Sequence, residues 1–216
     1  MHAPLQTQST LIIRQLDGLQ DYAQTFAQMK AFTEQRNADT PDELWILQHH
    51  NVLTQGQAGK PEHILQLSDD LPVVQTDRGG QVTWHGQGQL VAYLLFDLKR
   101  LGWNVRQLVS NTENAIIALL AHYGIDAAAR RDAPGVYVGD CKIGSLGFKV
   151  RKSCSYHGLS LNIDCALNGF ARINPCGYQG LQMIRVCDLL DPAPTHAEIA
   201  VHLAQIIRQQ HGMILH

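Results

Sequence analysis

Cys176 stands between Pro175 and Gly177 in the stretch Arg172-Ile173-Asn174-Pro175-Cys176-Gly177-Tyr178, outside any helical or strand pattern. Proline fixes the backbone on one side and glycine permits unusual dihedrals on the other, so the pair can hold a sulfur on a tight loop. The chemistry open to such a thiol is nucleophilic attack, with the thiolate as the reacting form. The ordinary alternative is a small buried hydrophobe, valued for packing alone. An unperturbed thiol, with a pKa of about 8.5, is mostly protonated at neutrality, so a nucleophile here needs a nearby cation or base.

Lys142 is a second residue that stands out, as a strand lysine on the same side as an apolar cavity. It lies in an apolar, glycine-spaced strand, Cys141-Lys142-Ile143-Gly144-Ser145-Leu146-Gly147-Phe148. Alternation puts Lys142 and Phe148 on one face, opposite Cys141 and Ile143. The plainer use of a strand lysine is a solvated edge residue that blocks aggregation.

Two further stretches combine glycine with polar side chains. Asp77-Arg78-Gly79-Gly80-Gln81-Val82-Thr83-Trp84-His85-Gly86-Gln87-Gly88 is either a glycine-rich turn between strands or a wall that lets backbone approach a ligand. Ser155-Tyr156-His157-Gly158-Leu159-Ser160 carries a histidine that reads first as a structural one. No dinucleotide fingerprint or P-loop occurs.

The elements that must position these residues follow from periodicity. Residues 11–16 read as a strand, 18–36 as an amphipathic helix with Leu19, Tyr22, Phe26 and Met29 on one stripe, and 43–50, 52–54, 73–76, 82–85 and 90–98 as strands. Asn104 caps a second helix whose stripe is Val105, Leu108, Thr112, Ile116, Leu119 and Tyr123, stopped by Gly124. Short strands near 125–129 and 135–138 precede a hairpin of 141–150 and 155–163. Thr195 and Glu198 form a capping box for a last helix faced by Ile199, Leu203, Ile206 and Ile207. A helix ahead of much of the sheet, with hairpins inside it, predicts an α+β or mixed α/β sandwich rather than a doubly wound domain.

The chain has 216 residues and a net charge of −2, which predicts one domain and gives no global attraction to nucleic acid or anionic membranes. No membrane-length apolar run or signal-peptide pattern is present, so a cytoplasmic protein is expected. Five cysteines without a Cys-x-x-Cys pair argue against a disulfide framework or a structural zinc site.

Taken together, Arg78-Gly79-Gly80-Gln81-Val82-Thr83-Trp84-His85 with its continuation to Tyr93, the Lys142-Ile143-Gly144 strand, Tyr156-His157-Gly158-Leu159-Ser160-Leu161-Asn162 and Asn174-Pro175-Cys176-Gly177 resemble the motifs of the octanoyltransferase family. The order and spacing are the family's, over about residues 43–190. The resemblance implies the fold of the biotin and lipoate protein ligases. It also implies transfer of an octanoyl group from acyl carrier protein to a lysine amine of lipoyl domains, those of 2-oxoacid dehydrogenase E2 subunits and the glycine cleavage H protein. Cys176 matches the acyl-accepting cysteine and Lys142 the lysine that assists it. Arg78 to His85, Ser145 to Gly147 and Gly158 to Ser160 match the segments that line the acyl substrate, with Val82, Trp84, Leu146 and Leu159 as apolar contributors. Ser145 stands where the family often has alanine. No cofactor is implied beyond the phosphopantetheine arm that carries the donor.

Acidic protein partners would favour a docking patch drawn from Arg130, Arg131, Lys149, Arg151 and Lys152. Three rival readings stay open at this level: an ATP-dependent ligase on the same fold, a cysteine thioesterase, and a non-catalytic module that only binds lipoyl domains.

Overall fold

The computed structural model describes residues 10–68, 70–175 and 180–212. Ten strands, β1 (Leu11–Gln20), β2 (Asp42–His49), β3 (Val52–Gln55), β4 (Val73–Gln75), β5 (Val82–His85), β6 (Gln89–Leu95), β7 (Ala128–Ala129), β8 (Val136–Val138), β9 (Cys141–Arg151) and β10 (Cys154–Asn162), are present among the described residues. They form a seven-stranded mixed sheet, ordered β1-β2-β6-β10-β9-β8-β7, and a three-stranded sheet, β4-β3-β5. Four helices accompany them: α1 (Tyr22–Gln35), α2 (Leu98–Leu101), α3 (Val105–His122) and α4 (His196–Gly212). The α+β expectation holds.

The large sheet is covered on both faces. On one, Leu90, Ala92, Leu94, Leu159 and Leu161 pack with Leu108, Ile116, Leu119 and Leu120 of α3 and Ile199, Leu203 and Ile207 of α4. The other carries Trp45, Leu47, Val91, Tyr93 and Tyr156 beneath Tyr22 and Met29 of α1. A third apolar cluster joins Leu53, Val82 and Trp84 of the small sheet to Phe170 and Ile173.

Local chemistry explains most boundaries. Asn104 accepts from the Gln107 N–H while the Gln107 side chain accepts from the Asn104 N–H, a reciprocal capping box. Thr195 and Glu198 make the equivalent pair at α4. Two expectations shift. The first helix begins at Tyr22, not Gly18, because β1 continues through Leu19 and Gln20 in register with Gln48 and His49 past a bulge, and Asp21 then caps the helix by accepting from Gln24 N–H. Val105 leaves its predicted stripe and is exposed, whereas Ala115 and Leu120 join the buried face of α3.

The alternation argument for β9 also needs correction. Pairing with β8 shifts register between Val136 and Tyr137, which face Gly144 and Lys142, so Ile143 is an extra residue on β9. Phe148 therefore packs against the same helix-covered core as Ile143 instead of lying opposite it. Nor is Lys142 an edge residue: β9 is flanked by β8 and β10, and the lysine is 1% exposed.

Candidate active site

Lys142 is held from three sides. Its Nζ donates to Pro134 O at 2.7 Å and lies 5.6 Å from the Tyr137 ring centroid. Gly135, with φ +137°, covers the side chain so closely that a Cβ there would sit 2.4 Å from Lys142 Cε. Glu113 on α3 accepts from the Gly135 N–H, and burial pushes its carboxyl up against the opposing pull of that bond and of Lys142. The lysine backbone donates to Gln182 O at 2.9 Å and accepts from Ile184 N–H at 3.1 Å, forming a parallel bridge with Met183. The segment 182–184 is thus tied to the lysine strand.

Cys176 lies outside the described residues, together with Gly177 to Gln179. Its described flanks are anchored: Ile173 bridges Ile64, and Asn174 N–H donates to His63 O at 2.8 Å.

Three residues along β9 from Lys142, a cavity of about 500 Å³, counted out to its mouth, opens between the sheets. Its lining is mainly apolar. Of the predicted substrate segments, Arg78, Gly80, Gln81, Val82, Thr83 and His85 border it, as do Ser145 to Gly147 and Gly158 to Ser160. Gly79 and Trp84 do not. The Gly79 N–H donates to Phe148 O at 2.8 Å, which fastens the glycine loop to β9. Trp84 turns to the third apolar cluster, edge-on to Phe170. Gly86 and Gly88 pack against Trp84 and Cys165 and belong to the turn reading.

Sequence reasoning missed the inner wall. Tyr22, Val91, Tyr93 and His157 also border the cavity. Tyr93 donates to His49 Nε2 at 2.7 Å, and His49 Nδ1–H in turn donates to Gln20 O at 3.0 Å. His85 Nδ1–H donates to Gln89 Oε1 at 2.7 Å, Gln89 passes a bond to Asn162 Oδ1, and Asn162 donates to Ile184 O. Burial lowers His49 to about 4 and His85 to about 3, so both rings are neutral near pH 7. Arg78 donates to Thr54 O and Oγ1, which pins the start of the glycine loop to β3.

His157 has φ +61°, a conformation uncommon outside glycine. Strict alternation would set it with Leu159 and Leu161 on the helix face. Instead its ring meets Phe26, Tyr93 and Tyr156 on the cavity side. Asp77 accepts from His157 Nε2–H at 2.9 Å and from Tyr156 O–H at 2.5 Å. Burial raises the Asp77 carboxyl, but these two donors outweigh it and hold the carboxyl below its ordinary value. Burial lowers His157, only partly opposed by Asp77. The carboxylate thereby fixes the tautomer, leaving Nδ1 as an acceptor, buried and without a hydrogen-bond partner among the described residues. Asp77 sits next to the Arg78 motif and Asn162 inside the quoted Leu161-Asn162 motif, so adjacency was the available signal for both. Gly135 had only its place after Pro134.

The basic patch does not survive as one surface. Arg130 bonds to Asp140 and Gly139 O beside the first residue of β9, while Arg151 and Lys152, at its far end, both pair with Glu34. Eleven strand residues separate the two groups by roughly 30 Å. Among the described residues no cluster suited to a metal ion occurs, and no helix is long and apolar enough to cross a membrane.

This arrangement of sheets is that of the lipoate protein ligases. A lipoate-protein ligase A bound with ATP superposes with a TM-score of 0.76, covering 94% of this chain and 85% of its own, at 14% identity. A bi-partite lipoate protein ligase from Thermoplasma acidophilum, studied with its E2 lipoyl domain, gives 0.75 at 15% identity, covering 94% and 83%. At such identities the likeness defines the fold. The Lipoyl protein ligase A/B catalytic domain profile matches residues 21–208. The octanoyltransferase of Acinetobacter baylyi is 60% identical over 200 residues, 93% of this chain and 91% of that one. That of Ectopseudomonas mendocina is 52% identical over 202 residues, 94% and 98%. The chain belongs to the lipoyl protein ligase A/B catalytic domain family, among its octanoyltransferases.

Proposed function

We propose that this chain is a single catalytic domain that moves an octanoyl group from the phosphopantetheine thioester of acyl carrier protein to the Nζ of a lysine on a lipoyl domain, by way of a thioester on Cys176. The acceptors are the lipoyl domains of 2-oxoacid dehydrogenase E2 subunits and the glycine cleavage H protein, and the reaction runs in the cytoplasm without a cofactor of the enzyme's own. The observation that carries this reading is Lys142: a buried amine, fastened to Pro134 O, whose backbone pairs with the segment that follows residues 176–179.

In the first half-reaction Lys142 takes the Cys176 proton or stabilises the thiolate. The sulfur bonds to the octanoyl carbonyl carbon, the carbon–sulfur bond to pantetheine breaks, and the departing thiolate takes up a proton. One thioester replaces another, so this step is close to isoenergetic. In the second, the neutral lysine amine of the acceptor attacks, Cys176 leaves as thiolate, and the amine proton passes to Lys142 or directly to the sulfur. Amide formation draws the sequence forward. Burial of the acyl chain at about 0.8 kcal/mol per methylene contributes roughly 5 kcal/mol to donor binding.

Intact-mass analysis after mixing the protein with octanoyl carrier protein and no nucleotide tests the proposal. An octanoyl adduct on Cys176, discharged by a lipoyl domain, is expected. Turnover without any adduct, or a requirement for ATP with free octanoate, would overturn it.

A further inference from the structure

Two cross-strand rows define the cavity. Ser145 on β9 lies opposite Ser160 on β10, which lies opposite Val91 on β6; Gly147, Gly158 and Tyr93 form the parallel row beside it. All six residues border the cavity. The four on β9 and β10 carry nothing larger than a hydroxymethyl group, whereas the two on β6 are branched or aromatic. Two adjacent strands of small residues leave a trough running across the sheet, and β6 closes it.

The trough has a defined length. The trough opens at Ser145 and Gly147 on β9, three to five residues along that strand from Lys142. Neighbouring strands lie about 4.8 Å apart, which puts β6 about 10 Å from β9. A fully extended eight-carbon chain with bonds of about 1.5 Å spans roughly 9 Å.

The closed end is also stiff. Tyr93 cannot swing aside without breaking its bond to His49, and His49 is itself bonded to Gln20 O. The Tyr22 ring, which also borders the cavity, packs 5.0 Å from His49 and 5.8 Å from His85. Next to Gly158, the buried Nδ1 of His157 has no hydrogen-bond partner among the described residues.

We infer that the register of β9, β10 and β6 limits the acyl length, with Val91 and Tyr93 as the specificity-determining end wall for a saturated acyl chain. The inference rests on the acyl-transfer reading above and deepens it.

The test uses the full chain with carrier protein bearing hexanoyl, octanoyl or decanoyl groups, and reads adduct formation and transfer for each. Val91→Ala is expected to raise the decanoyl-to-octanoyl rate ratio about tenfold, the lower end of what one methylene's fit is worth. Val91→Leu and Ser160→Val are expected to move the preference the other way, towards hexanoyl. Melting curves identify which of the three variants are folded, and the opposed directions keep the test valid if one is not. Folded variants that retain the parent's length profile would overturn the inference. Absence of adduct from every chain on the unaltered protein would overturn the acyl-enzyme reading instead.

Discussion

The two faces of the large sheet are built by the same strands for different ends. On the helix-covered face, Leu90, Ala92, Leu94, Leu159 and Leu161 meet α3 and α4 in a continuous apolar core. One residue along, β6 and β10 turn Val91, Tyr93, Gly158 and Ser160 to the cavity, in company with Arg78, His49, His85 and His157. The first face gains stability by filling space. The second leaves space open, and most of its buried polar groups are held by specific bonds, while His157 Nδ1 and Gln81 Oε1 have no hydrogen-bond partner among the described residues. Substitutions should therefore separate cleanly, stability on one side and chemistry on the other.

The largest effect is expected from Lys142→Met, which keeps the volume but removes the amine. Octanoyl transfer should fall by about 10³-fold, within the usual range for a proton-transfer group, while loss of the bond to Pro134 O costs about 1–3 kcal/mol of stability, read from the melting temperature. A variant retaining even a tenth of the activity would remove Lys142 from the chemistry.

Next comes the contrast between Leu161→Ala and Ser160→Ala. The first opens a hole in the helix-packed core and should cost about 2–5 kcal/mol in denaturant unfolding. The second, one residue away, should cost roughly 0.5 kcal/mol or less in stability and show its effect in acyl kinetics. Equal stability losses would break the comparison.

The cavity face should also make the fold sensitive to acid. His49 and His85 have folded values of about 4 and about 3, below the unfolded value of 6.5. Below pH 6.5 the unfolded chain binds protons that the folded chain refuses, so stability falls as pH drops from there towards 4. The slope approaches about 1.4 kcal/mol per pH unit for each histidine. His49→Gln should flatten the curve measured by urea unfolding, and an unchanged slope would assign the acid response elsewhere.

The smallest effect is expected at the rim. Arg151→Glu with Lys152→Glu breaks two solvent-screened surface pairs to Glu34, at little cost to stability. If carrier protein docks there, its apparent KM rises several-fold with little change in melting. An unaltered KM would remove this end of the patch.

Much of the scaffold was legible because its signals are local. Asn104 with Gln107 and Thr195 with Glu198 set helix starts through side chains three residues apart, and continuous apolar runs marked β2 and β6. The cavity segments announced themselves by small residues where a packed strand would carry large ones. Alternation failed at two positions that matter for the site. The extra residue at Ile143 moved Phe148 to the helix face, and the left-handed backbone at His157 turned its ring towards the cavity. Both depend on pairing with neighbouring strands.

The sequence by itself determined the elements, the family and the residue types able to do acyl chemistry, since capping, periodicity and motif order are properties of nearby residues. Tertiary structure alone decided that Lys142 is buried beneath Gly135 rather than solvated, and that Ser145, Ser160 and Val91 lie in one row. It also left His157 half-bonded to Asp77. Those facts arise from contacts between segments far apart in the chain, where register and close packing, not local preference, select the geometry.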